Sequence, residues 1–119
     1  MATTNLTTDD FMTTVDENEI VLVDFWADWC GPCKRFAPVY EKVSEENTEI
    51  VFGKVDTEAE QELAMNFQIT AIPTLMAFRQ GILLFNQAGA MNGSSLKSLI
   101  SQIKELDMEE VKAQAKPMA

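Results

Sequence analysis

The residues best suited to chemistry are Cys30 and Cys33, which are the only two cysteines of the chain. Gly31 and Pro32 stand between them, where glycine permits a tight turn and proline suits the first turn of a helix. A structural disulfide is one interpretation, but so short a loop removes only about 2 kcal/mol of unfolded-chain entropy. Half of a zinc site is another, but zinc needs about four N or S ligands, and the chain has no histidine and no third cysteine. The C-x-x-C spacing in a βαβ pattern therefore predicts thiol–disulfide redox chemistry.

The two cysteines lie where a strand ends and a helix begins. Residues 20–25 are apolar at every position but one, which is typical of a strand covered on both faces. An apolar stripe at helical spacing predicts a helix from Cys33 to about Glu46. Cys30 then projects from the loop, where the helix dipole and backbone N–H groups stabilise a thiolate. We therefore expect Cys30 to attack a substrate and the more covered Cys33 to resolve the mixed disulfide.

Asp24 is the only charged residue in the predicted strand 20–25. Burial disfavours the charged form, so the pKa of this carboxyl should rise above its ordinary value of about 3.9. Lys54, in the next core strand at residues 50–56, can pair with Asp24 and moderate that rise. A carboxyl poised near neutrality could accept the proton of Cys33 as that thiol attacks. The simpler alternative is an acid at the exposed end of a strand.

The remaining segments alternate between helix and strand patterns. From the strand at residues 20–25 onward, the order β-α-β-α-β-β-α indicates an α/β fold with a central mixed sheet between helices. Residues 1–6 are polar and are expected to be loose. The predicted elements are a helix at residues 7–15 started by a hydroxyl cap, a helix at 59–67, a hairpin of strands 74–79 and 82–87 around Gln80-Gly81, and a last helix capped by Ser94 or Ser95 and reaching Leu106.

Length and charge limit the possible functions. The 119 residues suffice for one domain spanning 1–119 and are too few for two. A net charge of −10 argues against nucleic-acid or anionic-membrane partners, which need a basic surface, and it favours a monomer. No apolar run approaches the roughly 20 residues of a spanning helix, and the first residues show no secretory signal. We expect a cytoplasmic protein.

Three separated motifs resemble those of one family. The segment 26–34, with the sequence WADWCGPCK, resembles the active site of thioredoxin. Further along, Ile72-Pro73-Thr74 and Ala88-Gly89-Ala90 resemble the second and third active-site loops of that family, in the same order. The match covers roughly Asp9 to Leu106, and it implies a thioredoxin fold, with a central mixed β-sheet flanked by helices on both faces.

The resemblance also implies a substrate surface around the cysteines. In this family the loop proline, here Pro73, is cis and faces the disulfide, and the backbone of Ile72 would pair with an extended substrate segment. Trp29 would shield the thiol and offer a flat contact, although it could simply be core. Gly89 and Ala90 would let a substrate approach closely, although both could be no more than turn residues. The implied substrate-binding residues are Trp29, Gly31, Pro32, Ile72, Pro73, Thr74, Gly89 and Ala90, beside the catalytic Cys30, Cys33, Asp24 and Lys54.

The function implied by the resemblance is a general protein-disulfide reductase. Such a protein needs no bound cofactor or metal, because its electrons come from NADPH through a flavin-containing thioredoxin reductase. Its partners would be that reductase and diverse disulfide-containing proteins. A binding or scaffold module without turnover, and a disulfide oxidase or isomerase, are the alternatives. The stretch Glu105–Ala119 extends past the usual family end, and residues 113–119 are expected to fray.

Overall fold

Five strands and five helices make up the part of the chain, residues 2–114, that the computed structural model describes. Their boundaries lie within a few residues of the sequence-based predictions, except at the two ends of the chain. In chain order the elements are β1 (Thr3–Asn5), α1 (Phe11–Glu17), β2 (Ile20–Trp26), α2 (Gly31–Glu45), β3 (Val51–Asp56), α3 (Gln61–Asn66), β4 (Thr74–Arg79), β5 (Ile82–Ala88), α4 (Gly93–Glu105) and α5 (Met108–Gln114).

The strands form one mixed sheet in the order β1-β3-β2-β4-β5. Strand β2 runs parallel to β3, and β4 runs antiparallel to both β2 and β5. Because β2 and β3 are parallel, their carboxyl ends meet at one edge of the sheet, and the Cys30 loop follows β2 at that edge. The hairpin at Gln80 and Gly81 is confirmed, and both residues have positive φ (53° and 79°), as a two-residue turn between twisted strands requires.

Helices cover both faces of the sheet, as predicted, and each face has its own apolar core. One core lies under α2 and α4 and contains Leu22, Phe36 and Tyr40. The other lies under α1 and α3 and contains Phe11 and Phe25. Alternation along β2 produces this division, because successive side chains of a strand point to opposite faces. Asp24 shares the face of Leu22, and it therefore points toward α2.

The prediction that residues 1–6 are loose is wrong for residues 2–6, and Met1 lies outside the described residues. Residues 3–5 form β1, which pairs in parallel with β3, and Leu6 is buried while its N–H donates to the Lys54 carbonyl oxygen at 2.8 Å. The Glu41 carboxylate accepts hydrogen bonds from Ala2 N (3.0 Å) and Thr3 Oγ1 (2.7 Å). Hydrogen bonds therefore hold this segment in the sheet, although its sequence is polar and has no alternating apolar pattern.

Gly53→Ala is expected to destabilise the protein through the β1–β3 contact. A Cβ on Gly53 would lie 2.5 Å from Leu6 Cδ1 and 3.3 Å from the carbonyl oxygen of Leu22. Overpacking of this kind costs about 1–3 kcal/mol. Urea unfolding measures the change. Gly93→Ala is the matched control, because its Cβ would meet only Val39 Cγ1, at 3.9 Å. An equal loss of stability in both variants would contradict this account of Gly53.

Two helix caps differ from the sequence-based predictions. Helix α1 begins after Asp10 rather than at a hydroxyl cap, and the Asp10 side chain accepts a hydrogen bond from the preceding Thr7 N (2.7 Å). Helix α4 is capped by Asn92, whose Oδ1 accepts from Ser95 N at 2.8 Å. Ser94 and Ser95 lie inside the first turn. Asn, Asp, Ser and Thr compete on nearly equal terms for this position, so residue type alone did not locate it.

Within the C-terminal extension, residues 108–114 form a further short helix, α5. Met108 of α5 is buried, and Arg79 Nη1 donates to the carbonyl oxygens of Ile103 (2.9 Å), Lys104 (3.3 Å) and Leu106 (3.1 Å) at the end of α4. Residues 113 and 114, which were expected to fray, belong to α5. The rest of that prediction, for residues 115–119, lies outside the described residues.

Candidate active site

The two cysteines form a disulfide at the N-terminus of α2. Their Cα atoms are 5.2 Å apart. Cys30 is the N-cap residue of the helix, and its Sγ accepts a hydrogen bond from Cys33 N at 3.2 Å. The helix begins at Gly31, two residues earlier than predicted, so that Pro32 lies in the first turn, where its missing N–H costs nothing. A thiolate on Cys30 would receive this same N–H and the positive end of the helix dipole.

The surroundings of the two sulfurs differ, although their burial does not. Cys30 is 4% exposed and Cys33 is 3% exposed. The prediction that Cys33 is more buried than Cys30 is therefore not confirmed. Cys30 Sγ lies 3.7 Å from the carbonyl oxygen of Ile72, on the loop before β4. Cys33 instead lines a cavity that also contains Asp24. Cys30 Sγ is thus next to the loop before β4, whereas Cys33 shares a cavity with a buried acid.

The cavity beneath Cys33 has a volume of about 110 Å³. Asp24 is 1% exposed at its wall, and neither of its carboxylate oxygens has a hydrogen-bond partner among residues 2–114. The predicted burial of Asp24 is therefore confirmed, and the surface alternative is excluded. The lining residues are Asp24, Trp26, Ala27, Asp28, Cys33, Lys34, Ala37 and Lys54.

Burial raises the pKa of Asp24 to about 7, and the charge of Lys54 limits the rise. Lys54 is the register partner of Asp24 across β2 and β3, and its Nζ lies 5.0 Å from the centroid of the Trp26 ring. A carboxyl with this pKa exchanges its proton near neutral pH, which suits a general base.

The predicted second loop is beside Cys30. The Ile72–Pro73 peptide bond is cis, as the resemblance implied, and Pro73 is buried while Ile72 is half-buried. Thr74 is also buried, and its Oγ1 donates to the carbonyl oxygen of Ala71. Thr74 thus begins β4 and bonds back to its preceding loop, and its contact with substrate stays a prediction.

The predicted third loop lies next to the second. Gly89 has a φ of 108°, and its N–H donates to the carbonyl oxygen of Pro73 at 2.8 Å. No atom lies within 4 Å of the position of a Cβ on Gly89, so the space above it is open. Gly89 and Ala90 are both exposed. Gly31 and Pro32, which lie between the two cysteines, are exposed as well.

Trp29 lines a groove together with residues of the second loop. It is 70% exposed, which excludes the alternative that it is core. A groove of about 170 Å³ runs beside it and is lined by Trp29, Thr57, Ile69, Thr70, Ala71 and Ile72. The indole N–H of Trp29 donates to Glu58 Oε1 at 2.8 Å.

The sequence reasoning missed Thr57 and Glu58. Both follow the end of β3 directly, at the sheet edge where the Cys30 loop also lies. Loops at the carboxyl edge of parallel strands commonly carry binding residues. Their position after β3 was the only feature from which they could have been predicted, because their residue types alone do not indicate a binding role.

The described residues show neither a metal centre nor a membrane span. Across residues 2–114 no three His, Cys, Asp or Glu side chains come together as potential metal ligands. None of the helices between residues 2 and 114 combines the length and the apolar character needed to cross a membrane.

Comparisons with known proteins agree with this geometry. The thioredoxin family model matches residues 2–105. The chain is 54% identical over 111 residues to putative thioredoxin 2 of Streptomyces coelicolor, covering 93% of this chain and 83% of that protein. It is 38% identical over 94 residues to the bifunctional thioredoxin reductase/thioredoxin of Mycobacterium leprae, covering 78% of this chain and 20% of that protein.

A solved structure of Plasmodium falciparum thioredoxin superposes with a TM-score of 0.77 at 41% identity, covering 83% of this chain and 97% of that one. The family match spans the cysteine pair, the cis-proline loop and the Gly89 loop together. With its redox-active pair at the start of α2, the chain belongs to the thioredoxin family and is a protein thiol–disulfide oxidoreductase.

Proposed function

We propose that the protein reduces disulfides of diverse proteins, with Cys30 as the attacking thiolate and Cys33 as the resolving thiol. The observation that carries this assignment is the different surroundings of the two sulfurs. Cys30 Sγ lies 3.7 Å from the carbonyl oxygen of Ile72, beside the loop proposed to contact the substrate, and Cys33 lines the cavity of Asp24. The nucleophile and the resolving thiol thus differ in the groups around them, although they are equally buried.

The proposed reaction consists of two successive thiol–disulfide exchanges. In the reduced protein, the Cys30 thiolate attacks one sulfur of the substrate disulfide, and the other substrate sulfur leaves as a thiolate that takes up a proton. Cys33 then loses its proton and attacks Cys30 Sγ, which releases the second substrate sulfur. The product is the Cys30–Cys33 disulfide seen in the structure, and two electrons have passed to the substrate.

Asp24 is the proposed acceptor of the Cys33 proton. Asp24 and Cys33 line the same cavity, and the pKa of about 7 lets Asp24 take up a proton and release it near neutral pH. Lys54, across the strand pair from Asp24, keeps that pKa from rising further. Its proposed role is to keep Asp24 partly ionised at the working pH.

The groove beside Cys30 is the proposed substrate site. An extended segment would pair with the backbone at Ile72, in the manner of an added β-strand, a mode that tolerates many sequences. Trp29 would form one wall, and the small residues Gly89 and Ala90 would leave space at the other. Gly31 and Pro32 would form the floor around the sulfur.

The proposed electron source is NADPH, delivered through a flavin-containing thioredoxin reductase, with no cofactor bound to this chain. The Mycobacterium leprae relative supports such a partner, since its name joins a thioredoxin reductase and a thioredoxin in one protein. We further propose that the protein acts as a monomer in the cytoplasm. The net charge of −10 supports the monomer through mutual repulsion of copies.

Insulin reduction coupled to NADPH tests this proposal. The protein, a bacterial thioredoxin reductase, NADPH and insulin should together give continuous NADPH consumption and precipitation of the insulin B chain. Precipitation with dithiothreitol but no NADPH consumption would contradict the proposed recharge. A lack of precipitation under both conditions would favour a binding module, and a strongly oxidising potential measured against glutathione would favour an oxidase.

A further inference from the structure

Trp29 combines high exposure with a fixed position. Its side chain is mostly in solvent, but its indole N–H donates to Glu58 Oε1 at 2.8 Å. An exposed aromatic side chain without such a bond samples several rotamers, and binding must then order it at an entropic cost. The bond to Glu58 removes that cost before a substrate arrives.

The segment that carries Glu58 is itself held in place. Thr57 donates from both N (2.9 Å) and Oγ1 (3.0 Å) to the carbonyl oxygen of Trp26, at the end of β2. Glu58 N donates to Asp56 Oδ1 at 2.9 Å. The carboxylate that holds Trp29 is thus connected to the end of the central strand, from which the Cys30 loop departs.

Two residues of this hydrogen-bond network, Trp29 and Thr57, line the same groove. Trp29 and Thr57 face it together with the stretch 69–72 that leads to the cis proline. The indole is therefore one wall of the groove, and its position would set the width available to a substrate chain. A small disulfide that touches only Cys30 would depend little on that width, whereas an extended protein segment would depend on it.

We propose that Glu58 is a positioning residue that fixes the Trp29 indole as a wall of the groove and thereby favours extended protein substrates. This proposal rests on the proposed function of the groove. Glu58 touches no reacting atom, and it acts through Trp29 alone. Its loss should consequently appear in the KM for a protein disulfide more than in kcat.

The experiment compares Glu58→Ala and Glu58→Gln with the wild-type protein. Glu58→Ala should raise the KM for insulin about two- to tenfold, the range expected for one hydrogen bond, and should change the KM for the small disulfide DTNB by a smaller factor. Glu58→Gln keeps an acceptor oxygen without the charge, and it should restore most of the loss. In ¹⁵N NMR spectra, the Trp29 indole N–H should exchange faster with water in Glu58→Ala only.

A double-mutant cycle with Trp29→Phe makes the test specific. Phenylalanine has no N–H to donate, so Glu58→Ala should have no further effect in that background. Glu62→Gln, an exposed acid in the first turn of α3, is the matched control for lost charge and should leave the KM for insulin unchanged. Equal losses in Glu58→Ala and Glu58→Gln, or a full Glu58→Ala effect on top of Trp29→Phe, would overturn the proposal. Wild-type protein that failed to reduce insulin would instead refute the proposed function.

Discussion

We expect the wild-type protein to lose stability between about pH 4 and pH 7 as Asp24 ionises, and we expect Asp24→Asn to remove most of that loss. The pKa of Asp24 is 3.8 before folding and about 7 in the fold, so the folded state binds more protons within this range. The contribution of Asp24 to the free energy of unfolding therefore decreases as the pH rises from 3.8 to about 7, and is constant above it. The difference between the two pKa values corresponds to about 4 kcal/mol at most.

Urea unfolding of the oxidised proteins at pH 5, 6, 7 and 8 measures this effect. At pH 8, Asp24→Asn should be more stable than the wild type, and Asp24→Ala should shift in the same direction with part of the gain lost to a cavity. Lys54→Met is the control for the opposing charge, because it should move the wild-type transition to higher pH. A wild-type stability that is flat between pH 5 and pH 8 would contradict a buried, titrating Asp24.

The same variant should slow catalysis without disabling the nucleophile. If Asp24 accepts the Cys33 proton, Asp24→Asn should reduce disulfides more slowly, with the largest deficit near neutral pH. Cys30 of the reduced variant should still react with iodoacetamide, because Asp24 lines the cavity of Cys33, whereas Cys30 Sγ lies against the carbonyl oxygen of Ile72. An unchanged rate of insulin reduction would exclude Asp24 as the proton acceptor.

Loss of either cysteine should abolish turnover, but for different reasons. Cys30→Ser lacks the attacking thiolate, so no mixed disulfide should form. Cys33→Ser retains the attack but cannot close the second exchange, so the mixed disulfide should accumulate. In the coupled assay with NADPH, both variants should consume NADPH at the background rate. Substantial turnover by either variant would contradict a mechanism that needs both sulfurs.

Much of the site was predictable because its residues break a strong local pattern. Asp24 interrupts an otherwise apolar strand. Burying an unpaired charge costs free energy, so its presence there indicates a functional role. Because the chain has no histidine and no third cysteine, a zinc site is ruled out for Cys30 and Cys33, and redox chemistry is the main remaining role. The α2 stripe and the hairpin turn at residues 80–81 are local features, and tertiary contacts did not overrule them.

The missed features depend on contacts between distant residues. Strand β1 has polar side chains, and backbone pairing with β3 and the Glu41 carboxylate hold it in place. The bond between Trp29 and Glu58 joins residues 29 positions apart. Helix α5 was missed because Arg79, on a distant strand, binds the carbonyl groups before it. No periodicity in the sequence encodes such contacts, and only the fold reveals them.

Trapping the substrate on Cys33→Ser tests the central assignment most directly. The reduced variant is mixed with a disulfide-containing protein, free thiols are blocked, and the adduct is digested and mapped by tandem mass spectrometry, with Cys30→Ser treated identically. We expect a mixed disulfide on Cys30 in the first variant and no adduct in the second. A stable adduct on Cys33 of Cys30→Ser, with none on Cys30 of Cys33→Ser, would reverse the two roles and contradict the mechanism.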